Sequence, residues 1–142
     1  MIWFLRHGDA EDGDGDDWAR ELTEKGTRQS KAAGEALAAL GVEIDACLTS
    51  PRIRALQTAE LACEPLGIEP EIAEELSGGD FDSASLAAGR GNVLLVGHEP
   101  DFSRAVHDLT GARIDMKKGG LAAVDGRTLT TLLRPAQIKR LG

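Results

Sequence analysis

The chain has 142 residues, of which 42% are hydrophobic and 28% charged, and its formal net charge is −8. That length and balance suit one globular domain, residues 1–142, and exclude a disordered or fibrous chain. The acidic excess argues against nucleic acid and against an anionic membrane as partners, and any anion handled here is handled against the net field.

Taken in chain order, residues 2–5 form an apolar run that reads as a buried strand. It runs straight into Arg6-His7 without a basic leader, so it does not read as a signal peptide. Residues 9–17 follow as an acidic loop holding Asp9, Glu11, Asp12, Asp14, Asp16 and Asp17, which reads as a solvated turn. Trp18 behind it reads as a packing residue. Thr23 is a fitting N-cap for a helix whose apolar stripe is Ala33, Ala36, Leu37 and Leu40, with Gly41 at its end. Residues 45–50 read as a second strand.

Pro51 is expected to start the next helix, since proline tolerates the first turn. Its stripe is Ala55, Leu56, Ala59, Ala62, Cys63 and Leu66, and Gly67 ends it. Residues 68–72 read as a weak edge strand interrupted by Pro70. A loop at 77–82 and a short helix at 83–88 follow. Residues 92–96 are the clearest buried strand, still far below the roughly 20 residues that span a bilayer. Pro100 opens another helix with Phe102, Ala105, Val106 and Leu109 inward. Residues 121–125 and 128–133 close the chain as strands joined by a Gly126-Arg127 hairpin turn. This order predicts an α/β fold, a three-layer α/β/α sandwich with a mostly parallel central sheet.

Cys47 and Cys63 make no disulfide framework and no CxxC site. Both are expected to be buried free thiols in a cytoplasmic protein.

Three strands end in polar residues: Arg6-His7-Gly8, Ser50-Pro51-Arg52-Ile53-Arg54, and Gly97-His98-Glu99-Pro100. Sites in open α/β sheets lie beyond the carboxyl ends of the strands. If these strands are neighbours, Arg6, His7, Arg54 and His98 converge into an anion site, since guanidinium groups fit phosphate oxygens in bidentate fashion. Arg52 stands two positions before Arg54, so on a helix the two point apart. His107 lies off the inward stripe and reads as a surface residue. Lys117 and Lys118 read as surface residues close to the site.

Leu5-Arg6-His7-Gly8, Leu22-Thr23-Glu24-Lys25-Gly26, the run from Ser50 to Ala59, and Val96-Gly97-His98-Glu99-Pro100 together resemble the four signatures of the histidine phosphatase superfamily, with its phosphoglycerate mutase-like fold. They occur in the family's order, and the short chain is similar to the compact SixA-type phosphohistidine phosphatases. The resemblance implies that His7 is the nucleophile, that Arg6 and Arg54 hold the phosphate, and that His98 completes the pocket. It implies a metal-independent phosphatase with no cofactor. The substrate is then phosphohistidine in a signalling protein, and a monomer is expected. Two alternatives stand beside this. One is a phosphatase of small sugar or nucleotide-derived phosphoesters. The other is a non-catalytic phosphate-binding module of the same fold. Relatives carry an acid that protonates the leaving group, for which Glu74, Glu75 and Asp80 are the candidates here. A phosphohistidine substrate leans on such an acid less, because imidazole leaves more readily than alkoxide. A free His7 lone pair requires its other ring nitrogen to donate, and the Gly8 carbonyl is the nearby acceptor. The overall charge is expected to slow encounter with an acidic phosphoprotein, so that added salt would help.

Overall fold

Along each central strand, successive side chains enter opposite apolar layers, and this alternation builds the fold. In a computed structural model describing residues 1–13 and 15–142, strand β1 (Ile2–Arg6) sends Trp3 and Leu5 into one layer and Phe4 into the other. Strands β2 (Ala46–Thr49), β4 (Val93–Gly97) and β5 (Leu121–Asp125) alternate in the same way. Strands buried on both faces carry continuous apolar runs, which is why residues 92–96 were so legible.

The sheet has six strands in the order β3-β2-β4-β1-β5-β6, with β3 at Pro70–Ile72 and β6 at Thr128–Leu133. Strands β3, β2, β4 and β1 are parallel, and β5 and β6 are added through antiparallel pairing. Helices α1 (Glu24–Ala39) and α2 (Ile53–Leu66) and the short α5 (Pro135–Ile138) cover one face. Helices α3 (Ser83–Ala87) and α4 (Asp101–Thr110) cover the other. The expected α/β/α sandwich is therefore present, with β3 at the edge as Pro70 implied. Among the described residues no helix is long and apolar enough to cross a membrane.

Local signals explain the element ends. Thr23 caps α1 by accepting the Gly26 N–H at 3.0 Å. Gly67 ends α2 at φ +70°, where a side chain would be strained. Two expectations change. Helix α2 starts at Ile53 and not at Pro51, because Arg52 is still extended (φ −63°, ψ 138°). The chain also ends in α5, whose four residues are too few for a periodic signal. Cys47 and Cys63 are buried and free, as expected.

Helices α1 and α2 approach closely because Gly34 has no side chain. A Cβ there would overlap the Ala62 carbonyl and press on Pro65. Gly34→Ala should therefore destabilise the protein. Overpacking against backbone costs about 1–3 kcal/mol, which exceeds the gain of about 1 kcal/mol that alanine brings to an exposed helix. Urea denaturation checks the sign, and a more stable variant would contradict this packing.

Candidate active site

The parallel register aligns the three strand ends that carry the polar residues. Arg6 of β1 lies opposite Gly97 of β4, and Thr49 of β2 lies opposite Val96. The residues that follow each strand, His7, His98 and Ser50, are thereby brought to one edge of the sheet. The His7 N–H donates to the Gly97 carbonyl at 3.0 Å, and the Ser50 N–H donates to Val96 at 3.0 Å. Arg54 enters from the first turn of α2.

His7 is buried, and both of its ring nitrogens are engaged. Nδ1 donates to the Gly8 carbonyl at 2.7 Å, as the sequence led one to expect. Nε2 accepts from Arg54 Nε at 3.3 Å. These two bonds fix the tautomer, leaving the lone pair on Nε2. Burial pushes the pKa of His7 down to about 4, with the Arg54 and Arg6 charges adding to the shift against the Gly8 hydrogen bond. His98 is pushed down to about 3, first by burial and then by His7 and Arg54. Its ring centroid lies 5.3 Å from that of His7, and its Nε2 is 2.8 Å from Ser50 Oγ. Both rings are therefore neutral at pH 7.

The segment holding His7 is fixed by contacts that only certain residues allow. The Gly8 N–H donates to Thr58 Oγ1 at 3.1 Å, and Thr58 donates to the Arg54 carbonyl at 2.8 Å. A Cβ on Gly8 would lie 2.6 Å from the Gly26 carbonyl oxygen, and one on Gly26 would overlap Asp9. The glycines of two separated sequence signatures thus face each other. Asp9 accepts from the Thr23 hydroxyl at 2.8 Å, which holds its carboxyl below the usual range.

Arg6 donates through Nη1 to the Met116 carbonyl at 2.9 Å. Arg6 Nε and His98 Nδ1 are buried and have no hydrogen-bond partner among the described residues. Arg54 donates to the Asp17 carbonyl at 2.8 Å and to its carboxylate at 3.3 Å. The same carboxylate pairs with Arg20 and Arg52, and the Arg20 hydrogen bond is the largest cause of its lowered pKa.

Several expectations are refined here. Arg52 and Arg54 do not point apart, because Arg52 precedes the helix, and both reach Asp17. Trp18 is not packed. It is 42% exposed, with the Arg52 guanidinium 4.9 Å from its ring centroid. The acidic loop is more than a solvated turn, since Asp9 and Asp17 anchor it, while Asp14 lies outside the described residues. His107 is exposed, as expected. Glu74 and Glu75 sit in a 3₁₀ turn, and Asp80 pairs with Arg104 at 3.1 Å. No hydrogen bond or ion pair among the described residues joins these three carboxylates to the His7 cluster. The clamp on Asp17 and the tether through Thr58 escaped sequence reasoning, although Thr58 lies within a quoted signature.

The depressed histidines make stability depend on pH. Below about pH 6.5 the unfolded chain binds protons that the folded chain refuses, so stability is full above that value and is lost toward pH 4 and 3. Between pH 7 and pH 5 the unfolding free energy should drop by an amount on the order of 2 kcal/mol for each of the two histidines. His98→Gln should flatten the slope, and a wild-type value that does not change over this range would contradict the neutral rings.

The chain is similar in sequence and fold to known proteins. The model of the histidine phosphatase superfamily (branch 1) matches residues 2–87. An uncharacterized protein of Picosynechococcus sp. is 36% identical over 137 residues, covering 84% of this chain and 81% of that one. A 2,3-bisphosphoglycerate-dependent phosphoglycerate mutase of Sphingopyxis alaskensis is 46% identical over 50 residues, covering 35% of this chain and 22% of the mutase. The structure of the protein histidine phosphatase SixA complexed with tungstate superposes with a TM-score of 0.84 at 27% identity, covering 97% of this chain and 99% of that one.

Proposed function

The chain belongs to the histidine phosphatase superfamily, branch 1, and we propose that it removes the phosphoryl group from phosphohistidine carried on a protein, with His7 as the nucleophile. Membership and the SixA-type likeness support a phosphatase. The observation that carries it is the double constraint on the His7 ring, which leaves the Nε2 lone pair facing Arg54. A neutral imidazole attacks phosphorus through a nitrogen that bears a lone pair.

In the first step Nε2 bonds to phosphorus as the P–N bond to the substrate's imidazole breaks, and that imidazole takes a proton from solvent. A phosphoryl oxygen draws the Arg54 donor off the ring and frees the lone pair. In the second step water attacks phosphorus, the bond to His7 breaks, and inorganic phosphate leaves. Arg6 and Arg54 hold the oxygens and offset their charge, so the reading needs no metal. Arg6 Nε and His98 Nδ1, buried without partners, gain acceptors from a bound phosphoryl group.

The choice of phosphohistidine over an ester rests on the leaving group. Asp17, the carboxylate that reaches the cluster, is held by three arginines and kept below the usual carboxylate range. It is a poor proton donor, and an imidazole leaving group needs a donor least. SixA, whose structure this chain resembles, is described as a protein histidine phosphatase.

His7→Ala should lower hydrolysis of a phosphohistidine protein and of a small chromogenic phosphate by about 10³-fold or more. Wild-type protein quenched during turnover should retain acid-labile phosphate. Full activity in His7→Ala sinks the reading. Parallel kinetics against sugar and nucleotide phosphoesters test the substrate, and a kcat/KM about 100-fold higher for an ester (about 2.7 kcal/mol) would reverse the choice. The acid limb of kcat/KM should lie near pH 4 and not near 6.5, since protonated His7 cannot attack.

A further inference from the structure

Beside Arg6 lies a groove of about 800 Å³ whose charge opposes that of the whole molecule. Among the described residues it is lined by Arg6, Lys25, Arg28, Lys117, Lys118 and Lys139, and by no Asp or Glu. This is a marked local excess in a chain with 16 basic and 24 acidic residues.

Four separate segments build it, the first being Arg6 at the end of β1. Lys25 and Arg28, with Gln29 and Ala32 behind them, occupy one stripe of α1 at i, i+3, i+4 and i+7. Lys117 and Lys118 come from the turn before β5, and Lys139 follows α5. Pro135 and Ile138 of α5, with Ala32, give the groove an apolar floor. Lys117 is paired with Asp115 at 2.8 Å, and Lys118 lies 3.6 Å from Asp9. Lys25, Arg28 and Lys139 are exposed and have no carboxylate within ion-pair distance among the described residues. Arg6 belongs both to the groove and to the His7 cluster, so the two are continuous.

We infer that this groove docks an acidic segment of the phosphoprotein that flanks the phosphorylated residue, an inference that rests on the protein-borne substrate proposed above. Charge complementarity names the occupant. Cations spread over four segments around an apolar floor suit carboxylates distributed along a chain, whereas one small anion would need its donors focused at a point. The groove also reverses the salt effect expected from the net charge. An acidic segment is attracted locally, so added salt weakens its docking.

The test uses a fluorescent peptide carrying an unphosphorylated histidine flanked by glutamates, and its counterpart with glutamines. Wild-type protein should bind the glutamate peptide about tenfold more tightly by anisotropy, with an affinity that falls as salt rises. The exposed double variant Lys25→Glu/Arg28→Glu should lose that preference while its thermal melt and its turnover of a small chromogenic phosphate stay unchanged. Equal binding of both peptides by the wild type, or undiminished binding by the variant, overturns the inference. Turnover of the phosphohistidine form of the glutamate peptide is measured separately on the wild type. Its failure there overturns the substrate reading, while the binding comparison still decides the groove.

Discussion

The hydrogen bond from His7 Nδ1 to the Gly8 carbonyl decides which ring nitrogen carries the lone pair. Much of the surrounding structure holds that carbonyl in place. The peptide before Gly8 is anchored to β4 through the His7 N–H, and Gly8 is tied to α2 through Thr58. Gly8 and Gly26 let the loop after β1 lie flush on the first turn of α1. A side chain at either glycine would push the loop away and change the direction of the acceptor. The glycines, the threonine and the histidine therefore serve one geometric end.

Electrostatics completes the arrangement. Burial removes the positive charge from both imidazoles, and two guanidiniums keep it from returning. A site with charged histidines would bind an anion more strongly but could not attack it. In the proposed function, attraction falls to Arg6 and Arg54 while the rings stay neutral. Asp17 holds Arg54 from the far side, so the guanidinium is oriented before any ligand arrives. In a molecule of net charge −8, Arg6 links the positive charge of the site to that of the groove beside it.

The strand ends were readable in the sequence because buried parallel strands are apolar runs, and Arg6, His7 and His98 stand where those runs stop. Arg54 was readable through its signature. Arg52 was misplaced because helical geometry was applied to a residue that precedes its helix by one position. The role of Asp17 was invisible, since its partners Arg52 and Arg54 are 35 and 37 positions away and no local pattern pairs them. The groove was hidden for the same reason: its lysines and arginines come from four distant segments, and only the fold sums them. Glu74, Glu75 and Asp80 have the right residue type but stand in no recognisable pattern, and among the described residues no hydrogen bond or ion pair joins them to the cluster.

The protonation state of the His7 ring decides whether it can attack. Nitrogen-15 NMR of the histidine side chains at pH 7 reads it directly. His7 should show a protonated Nδ1 and an unprotonated Nε2, and should keep that pattern down to about pH 5. A doubly protonated ring at pH 7, or a proton on Nε2, would contradict it.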